Sequence, residues 1–163
     1  MIREMTSKDV DQVLLLRASQ SNEDQKHSGG KESFEDILRR RKKIGIVKKY
    51  EGEIVHLVEE REGEVVGHCA VSIRTDGETV MGEMSAMYVK PEHRRKGIAL
   101  GLINRMTEVA REKGASVIFA WTRHEAEAAK ALYEKAGYEE HAQPIYYRIM
   151  DEGKPAGPSR STG

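Results

Sequence analysis

The sequence predicts a single α/β (α+β) domain built on a mixed central sheet, and three observations carry this. Alternating and β-branched segments run from Glu53 to Val89, interrupted by the turn signals Glu62-Gly63 and Asp76-Gly77, which reads as an antiparallel meander. The last of these strands leads past Pro91 and Gly97 into a helical pattern and then to another apolar strand at Val117. A strand–helix–strand sequence of that length makes the two strands parallel neighbours. Further helical patterns stand before the meander and after the last of these strands. A length of 163 residues fits one domain.

Taken in order, Ile2 to Met5 is expected to be a short strand. Thr6, with Asp9 three residues on, has a capping-box-like arrangement. Val10, Val13, Leu14 and Arg17 then fall at helical spacing, so a first amphipathic helix is expected to end near Ser19. Asn22 to Lys31 is polar and contains Gly29-Gly30, which predicts a mobile loop. Ser33 with Asp36 repeats the cap pattern ahead of Phe34, Ile37, Leu38 and Arg41, a second helix whose basic run Arg39 to Lys43 reads as a solvated face. Strands follow at Glu53 to Glu59, Val65 to Ile73 and about Thr79 to Val89. The next helix runs from Gly97 to Lys113, where Gly114 is a stop signal. Val117 to Thr122 is a strand, and a last helix runs from about Glu125 to Ala136 and stops at Gly137. Tyr138 to His141 and Ile145 to Met150 are expected to pair around Pro144. Residues 1–150 thus form the expected domain. Asp151 to Gly163, rich in Gly, Pro and Ser, reads as a disordered tail.

Composition narrows the function classes. Hydrophobic residues make up 38% and charged residues 33%, a modest core under a very polar surface. The 27 basic and 27 acidic side chains give a formal net charge of +0, without the cationic excess a general nucleic-acid binder needs. No apolar run approaches the length of a membrane span, and the N-terminus carries no apolar signal segment. The single Cys69 has no internal partner and reads as small core filler. A cytoplasmic, reduced setting is therefore the expected one.

The stretch Glu83 to Leu102, EMSAMYVKPEHRRKGIALGL, carries the chemistry. A helix that starts at Gly97 presents unpaired N–H groups and the positive end of its dipole, with Arg94, Arg95 and Lys96 just ahead. Such a start suits a phosphate-bearing ligand. There is no GxGxxG and no GxxxxGK[ST] to indicate a dinucleotide fold or a P-loop.

Arg94-x-x-Gly97-x-Ala99 directly after EMSAMYV resembles the acetyl-CoA signature of the GNAT superfamily of N-acetyltransferases, Arg/Gln-x-x-Gly-x-Gly/Ala. Ala129-x-x-Leu132-Tyr133-x-x-x-Gly137-Tyr138 is similar to the family's second signature, A-x-x-L-Y-x-x-x-G-F, and the element order up to Met150 matches as well. The resemblance implies helices on both faces of a mixed sheet whose two parallel strands splay apart. It implies acetyl-CoA as co-substrate, without a metal. The pantetheine arm would pair with the backbone at Met87 and Val89, around Tyr88. The N–H groups of Arg95, Lys96, Gly97, Ile98, Ala99 and Leu100 would hold the pyrophosphate, with Arg94, Arg95 and Lys96 adding positive charge. Ala126 and Ala129 would leave a groove for the arm beside Tyr133. In the family this tyrosine protonates the departing thiolate, a feasible transfer from a phenol of pKa about 10 to a thiol of about 8.5.

An amine acceptor must also lose a proton, and Glu83 matches the position of a glutamate base in some members. His124 is the reserve base. Two departures stand out. Many members have an Asn where this chain has Ala126, and the ribosomal-protein acetyltransferases often carry a Glu where it has Trp121, which reads as a packing residue here. The expected activity is acetyl transfer to a primary amine by direct attack, preferably on a small molecule. Acetyl transfer to a protein or peptide amine, or a non-catalytic acyl-CoA-binding regulator, are the alternatives. A homodimer is one expectation for assembly.

Overall fold

A computed structural model describes residues 1–46, 52–122 and 126–141. Among these residues five strands form one sheet in sequence order: β1 (Ile2–Glu4), β2 (Glu53–Arg61), β3 (Glu64–Asp76), β4 (Thr79–Val89) and β5 (Val117–Ala120). The first four pair antiparallel and β5 joins β4 in parallel, as the element order predicts. The β2–β3 and β3–β4 hairpins close at Arg61 opposite Glu64 and at Asp76 opposite Thr79, where the two glycine turn signals fall.

Helices cover both faces. Alternation along the strands turns Leu57, Cys69, Val71 and Met84 toward α3 (Ile98–Glu112), where Leu102, Ile103 and Met106 complete the main core. α4 (Glu127–Lys135) adds Leu132 and Tyr133 to that side. On the other face, Val58, Val65 and Tyr88 pack with Val13 and Leu16 of α1 (Val10–Ser28), and α2 (Phe34–Ile44) lies against α1. Each fully buried aliphatic side chain contributes roughly 1.5–3 kcal/mol, so the α3 side supplies most of the hydrophobic stabilisation.

Both predicted caps form. The Asp9 carboxylate accepts from the Thr6 N–H (2.7 Å) and hydroxyl (2.9 Å), and the Ser33 hydroxyl accepts from the Asp36 N–H (3.2 Å). Asp9 also takes a two-bonded Arg3, which ties β1 to the start of α1 and holds the carboxyl well below its usual range.

Two expectations need correction and others need trimming. Asn22 to Lys31 is not a mobile loop, because α1 continues to Ser28 and caps where the Gly29 N–H meets the Gln25 carbonyl. The extension has no apolar residue of its own. It is held by Glu23, which accepts a bond from the Tyr88 hydroxyl at 2.6 Å and from Arg94 at 2.9 Å. Tyr138 to His141 form no strand among the described residues. Instead the Tyr138 hydroxyl donates to Thr107 Oγ1 at 2.8 Å, since that hydroxyl already donates to the Ile103 carbonyl. β5 ends at Ala120 and α4 begins at Glu127, both shorter than expected. The strand expected at Ile145 to Met150 and the tail 151–163 lie outside the described residues.

Candidate active site

The site begins with a count of residues along β4. Val71 of β3 faces Met84, but its neighbour Ala70 faces Ala86, so Ser85 is an extra residue that bulges the strand. Pairing between β4 and β5 ends at the same place, with Met84 opposite Ala120 as the last pair. From Ser85 to Val89 the outer edge of β4 has no strand partner among the described residues. The bond from the Lys90 N–H to the Val66 carbonyl sets the phase of the ladder. Tyr88 and Ala86 therefore exchange bonds with β3, while the backbone groups of Met87 and Val89 point outward into the opening. These are the two residues expected to offer backbone groups to a ligand.

The loop after β4 aims a second set of donors at the same region. Arg95 (φ 60°) and Gly97 (φ 77°) both lie in the left-handed region, which costs a non-glycine residue about 1 kcal/mol. The strained turn brings α3 in at once, and its first backbone bond runs from the Gly101 N–H to the Gly97 carbonyl. The N–H groups of Ile98, Ala99 and Leu100 are therefore left without helical acceptors at the positive end of the dipole. A Cβ added at Gly97 would meet nothing within 4 Å, so the space in front of the loop is open. Gly67 of β3 fixes the height of this helix end, since a Cβ there would stand 3.1 Å from both Ile98 and Leu102.

The three cations divide. Arg95 is exposed, and Lys96 is exposed with its ammonium on the Glu92 carbonyl at 3.0 Å. Arg94 is engaged elsewhere. Its Nε donates to the Val89 carbonyl (2.9 Å), its NH2 group binds both oxygens of Glu23, and its guanidinium lies 5.2 Å over the Tyr88 ring. Arg94 is thus a bracket that joins α1, β4 and the loop, with its charge already balanced. Burial, with the Glu23 carboxylate beside it, pushes the Tyr88 phenol up to about 12.

Tyr133 reaches the opening from α4. Its hydroxyl lies 3.6 Å from Met84 Sδ, at the last β4 residue paired with β5, and its ring packs 5.6 Å from that of Tyr138. Burial raises the Tyr133 phenol above its ordinary pKa, with smaller contributions from Tyr138 and Cys69. Ala126 is the residue ahead of the first turn of α4, where its carbonyl accepts from the N–H groups of Ala129 and Lys130. Cys69 is buried in the α3-side core, where desolvation pushes its thiol up and keeps it neutral.

Glu83 is not beside Tyr133. It points from β4 to the α1–α2 face, where its carboxylate is half-buried and pairs with Arg74 at 2.8 Å. Glu83 and Met84, the residue that Tyr133 meets, are neighbours on β4 and point to opposite faces, so Glu83 and Tyr133 lie on opposite sides of the sheet. Trp121 is 61% exposed instead of packed, and His124 lies outside the described residues. Among the described residues no cluster of three His, Cys, Asp or Glu side chains could hold a metal, and no helix is long and apolar enough to cross a membrane. Sequence reasoning missed Ser85 and Glu23. The first carries no local signal, and the second is recognisable only from partners on β4 and the loop.

The sequence model of the acetyltransferase (GNAT) family matches residues 17–138. The chain belongs to the GNAT acetyltransferase family. Among curated GNAT relatives it is 39% identical over 82 residues to the uncharacterized N-acetyltransferase YjgM of Escherichia coli, covering 50% of this chain and 49% of that protein. It is 36% identical over 86 residues to the IAA acetyltransferase of Azospirillum brasilense, covering 53% of this chain and 55% of that one. The chain thus spans about half the length of these curated relatives. The aminoglycoside N-acetyltransferase AAC(6')-Iy, solved in complex with CoA, superimposes with a TM-score of 0.68 at 20% identity, over 93% of this chain and all of that one. An acetyltransferase of Trypanosoma brucei gives 0.63 at 20% identity, over 91% and 99%. At these identities the structural likeness establishes the GNAT fold.

Proposed function

We propose that this GNAT chain transfers the acetyl group of acetyl-CoA to a primary amine by direct attack, with a small molecule as the acceptor. The observation that carries the proposal is the convergence at the end of the β4–β5 pairing. The outward backbone groups of Met87, the outward Val89 N–H, the N–H groups at the start of α3 and the Tyr133 hydroxyl all border one opening.

The residues fit the co-substrate. A pantetheine amide bonds to the Met87 and Val89 edge as an added strand would, and the pyrophosphate meets the N–H groups from Arg95 to Leu100 with Arg95 and Lys96 nearby. The amine nitrogen attacks the thioester carbonyl carbon, and the carbon–sulfur bond breaks. Tyr133 gives its proton to the leaving thiolate, while Glu83 takes the proton the amine loses, directly or through one water. Acid and base then work from opposite faces of the opened sheet, with the thioester between them. Cys69, buried and neutral, takes no part, so no acyl-enzyme forms.

The test is release of free thiol from acetyl-CoA with a panel of amines, paired with a thermal-shift titration. Acetyl-CoA at about 100 times its dissociation constant adds roughly 2.7 kcal/mol of stability. The absence of any shift at millimolar acetyl-CoA would sink the proposal. A shift without turnover would point instead to an acyl-CoA-binding regulator.

A further inference from the structure

The α1–α2 face of the sheet holds a group of buried polar side chains that acetyl transfer as described touches only at Glu83. The register sets His68, Ala70 and Ser72 side by side along β3 on this face, with His56 opposite Ala70 and Glu83 opposite Ser72. His56 Nδ1 and His68 Nε2 are 3.0 Å apart, with the rings stacked. His68 and Ser72 are fully buried, yet among the described residues His68 Nδ1 and Ser72 Oγ have no hydrogen-bond partner, and neither does the buried Arg41 Nε on α2, the helix packed against α1.

The charges around this group are lopsided. Arg17 belongs to α1, which packs on β3; burial has the larger effect in lowering His56 and His68, and the Arg17 guanidinium lowers both further. Burial and then Arg41 lower Arg17 in the same way. Arg41 is steered by a 2.7 Å bond to Ser21 Oγ. Neither Arg17 nor Arg41 forms an ion pair among the described residues, and the nearby acid Glu83 is taken by Arg74. Cations withdrawn from water are costly until a negative charge joins them, and buried polar atoms are nearly always bonded. The cluster is therefore complementary to an anion with further hydrogen-bonding groups.

We propose that this cluster is the acceptor subsite and that its ligand is an amine bearing a carboxylate, of the free amino-acid kind, with the carboxylate between Arg17 and Arg41 and the amine toward Glu83. His68 Nδ1 and Ser72 Oγ are partners for the remaining polar groups. A polycation of the aminoglycoside type would meet two like charges in the same place. The inference rests on the acetyl-transfer reading and narrows it to a substrate class.

The experiment follows thiol release from acetyl-CoA with free amino acids, their methyl esters and the aminoglycoside kanamycin. Acids are expected to exceed their esters in kcat/KM by about tenfold or more, the usual weight of a charge-assisted bond. Arg41→Met should raise KM for the acids about 10- to 100-fold and narrow the gap to the esters. Arg39→Met, on the exposed side of α2, should leave it unchanged. Esters or kanamycin preferred over acids, or an acid preference that survives Arg41→Met, would overturn the carboxylate subsite while acetyl transfer stands. Thiol released with none of these amines would overturn both.

Discussion

Replacing Tyr133 with Phe separates catalysis from stability, because the two costs differ by several kcal/mol. Among the described residues the hydroxyl has one polar contact, the 3.6 Å approach to Met84 Sδ, and a thioether is a weak acceptor. Losing that contact should cost folding no more than about 1 kcal/mol. The ring keeps its packing against Tyr138 and the α3-side core. Losing a proton donor to the thiolate lowers kcat by about 10² to 10⁴, which is roughly 2.7–5.4 kcal/mol on the barrier. Thermal unfolding and thiol-release kinetics on the same preparation measure the two, with KM for acetyl-CoA nearly unchanged. The pH profile adds a sign. Burial raises the Tyr133 pKa, so the acid stays protonated through neutrality, and the rate should fall only above the ordinary phenol value of about 10. Tyr133→Phe should lack that alkaline limb. A variant that folds and retains kcat would refute the role of Tyr133 as acid.

Three further outcomes follow from the geometry. Gly97→Val meets open space but a left-handed backbone, so folding should lose about 1–2 kcal/mol, while acetyl-CoA affinity should fall about tenfold or more; equal affinity in the folded variant would show that the loop does not hold phosphate. Glu83→Gln should lower the rate most at low pH, where free amine is scarce, and its deficit should shrink as pH approaches the amine's own pKa; a deficit constant across pH would assign Glu83 to positioning. His68, lowered by burial to about 3 when folded against about 6.5 unfolded, takes up its proton first in the unfolded chain. Its contribution to stability is present above pH about 6.5 and is lost as pH falls toward 3. Melting temperature measured across that window should slope less in His68→Leu, and an unchanged slope would refute the assignment.

Local signals were legible in the sequence. The Thr6–Asp9 and Ser33–Asp36 pairs, the turns at Gly63 and Gly77 and the start of α3 at Gly97 each depend on neighbours a few residues away, and each is found where expected. The second half of α1 was not legible. Asn22 to Ser28 contains no apolar residue, so helical periodicity has nothing to register, and the contacts from Glu23 reach residues 65 and 71 positions away. The polar group on the α1–α2 face escaped for the same reason, since α1, α2, β2 and β3 each supply only one or two members. Glu83 and Tyr133 were recognisable as types, but their separation onto opposite faces follows from strand alternation at Glu83 and Met84, the residue that Tyr133 meets across the core from α4.

Ser85 makes the opening a matter of parity. Before Ser85, even-numbered residues of β4 such as Gly82 and Met84 face α3; after it, odd-numbered Met87 and Val89 do, and Tyr88 turns to α1. A substitution at Ser85 changes one side chain, whereas a deletion inverts every residue from Ala86 to Val89 and returns the strand edge to step with β5. Shortening the strand by one residue at Ser85 therefore disturbs the opening more than replacing the half-buried Ser85 side chain does.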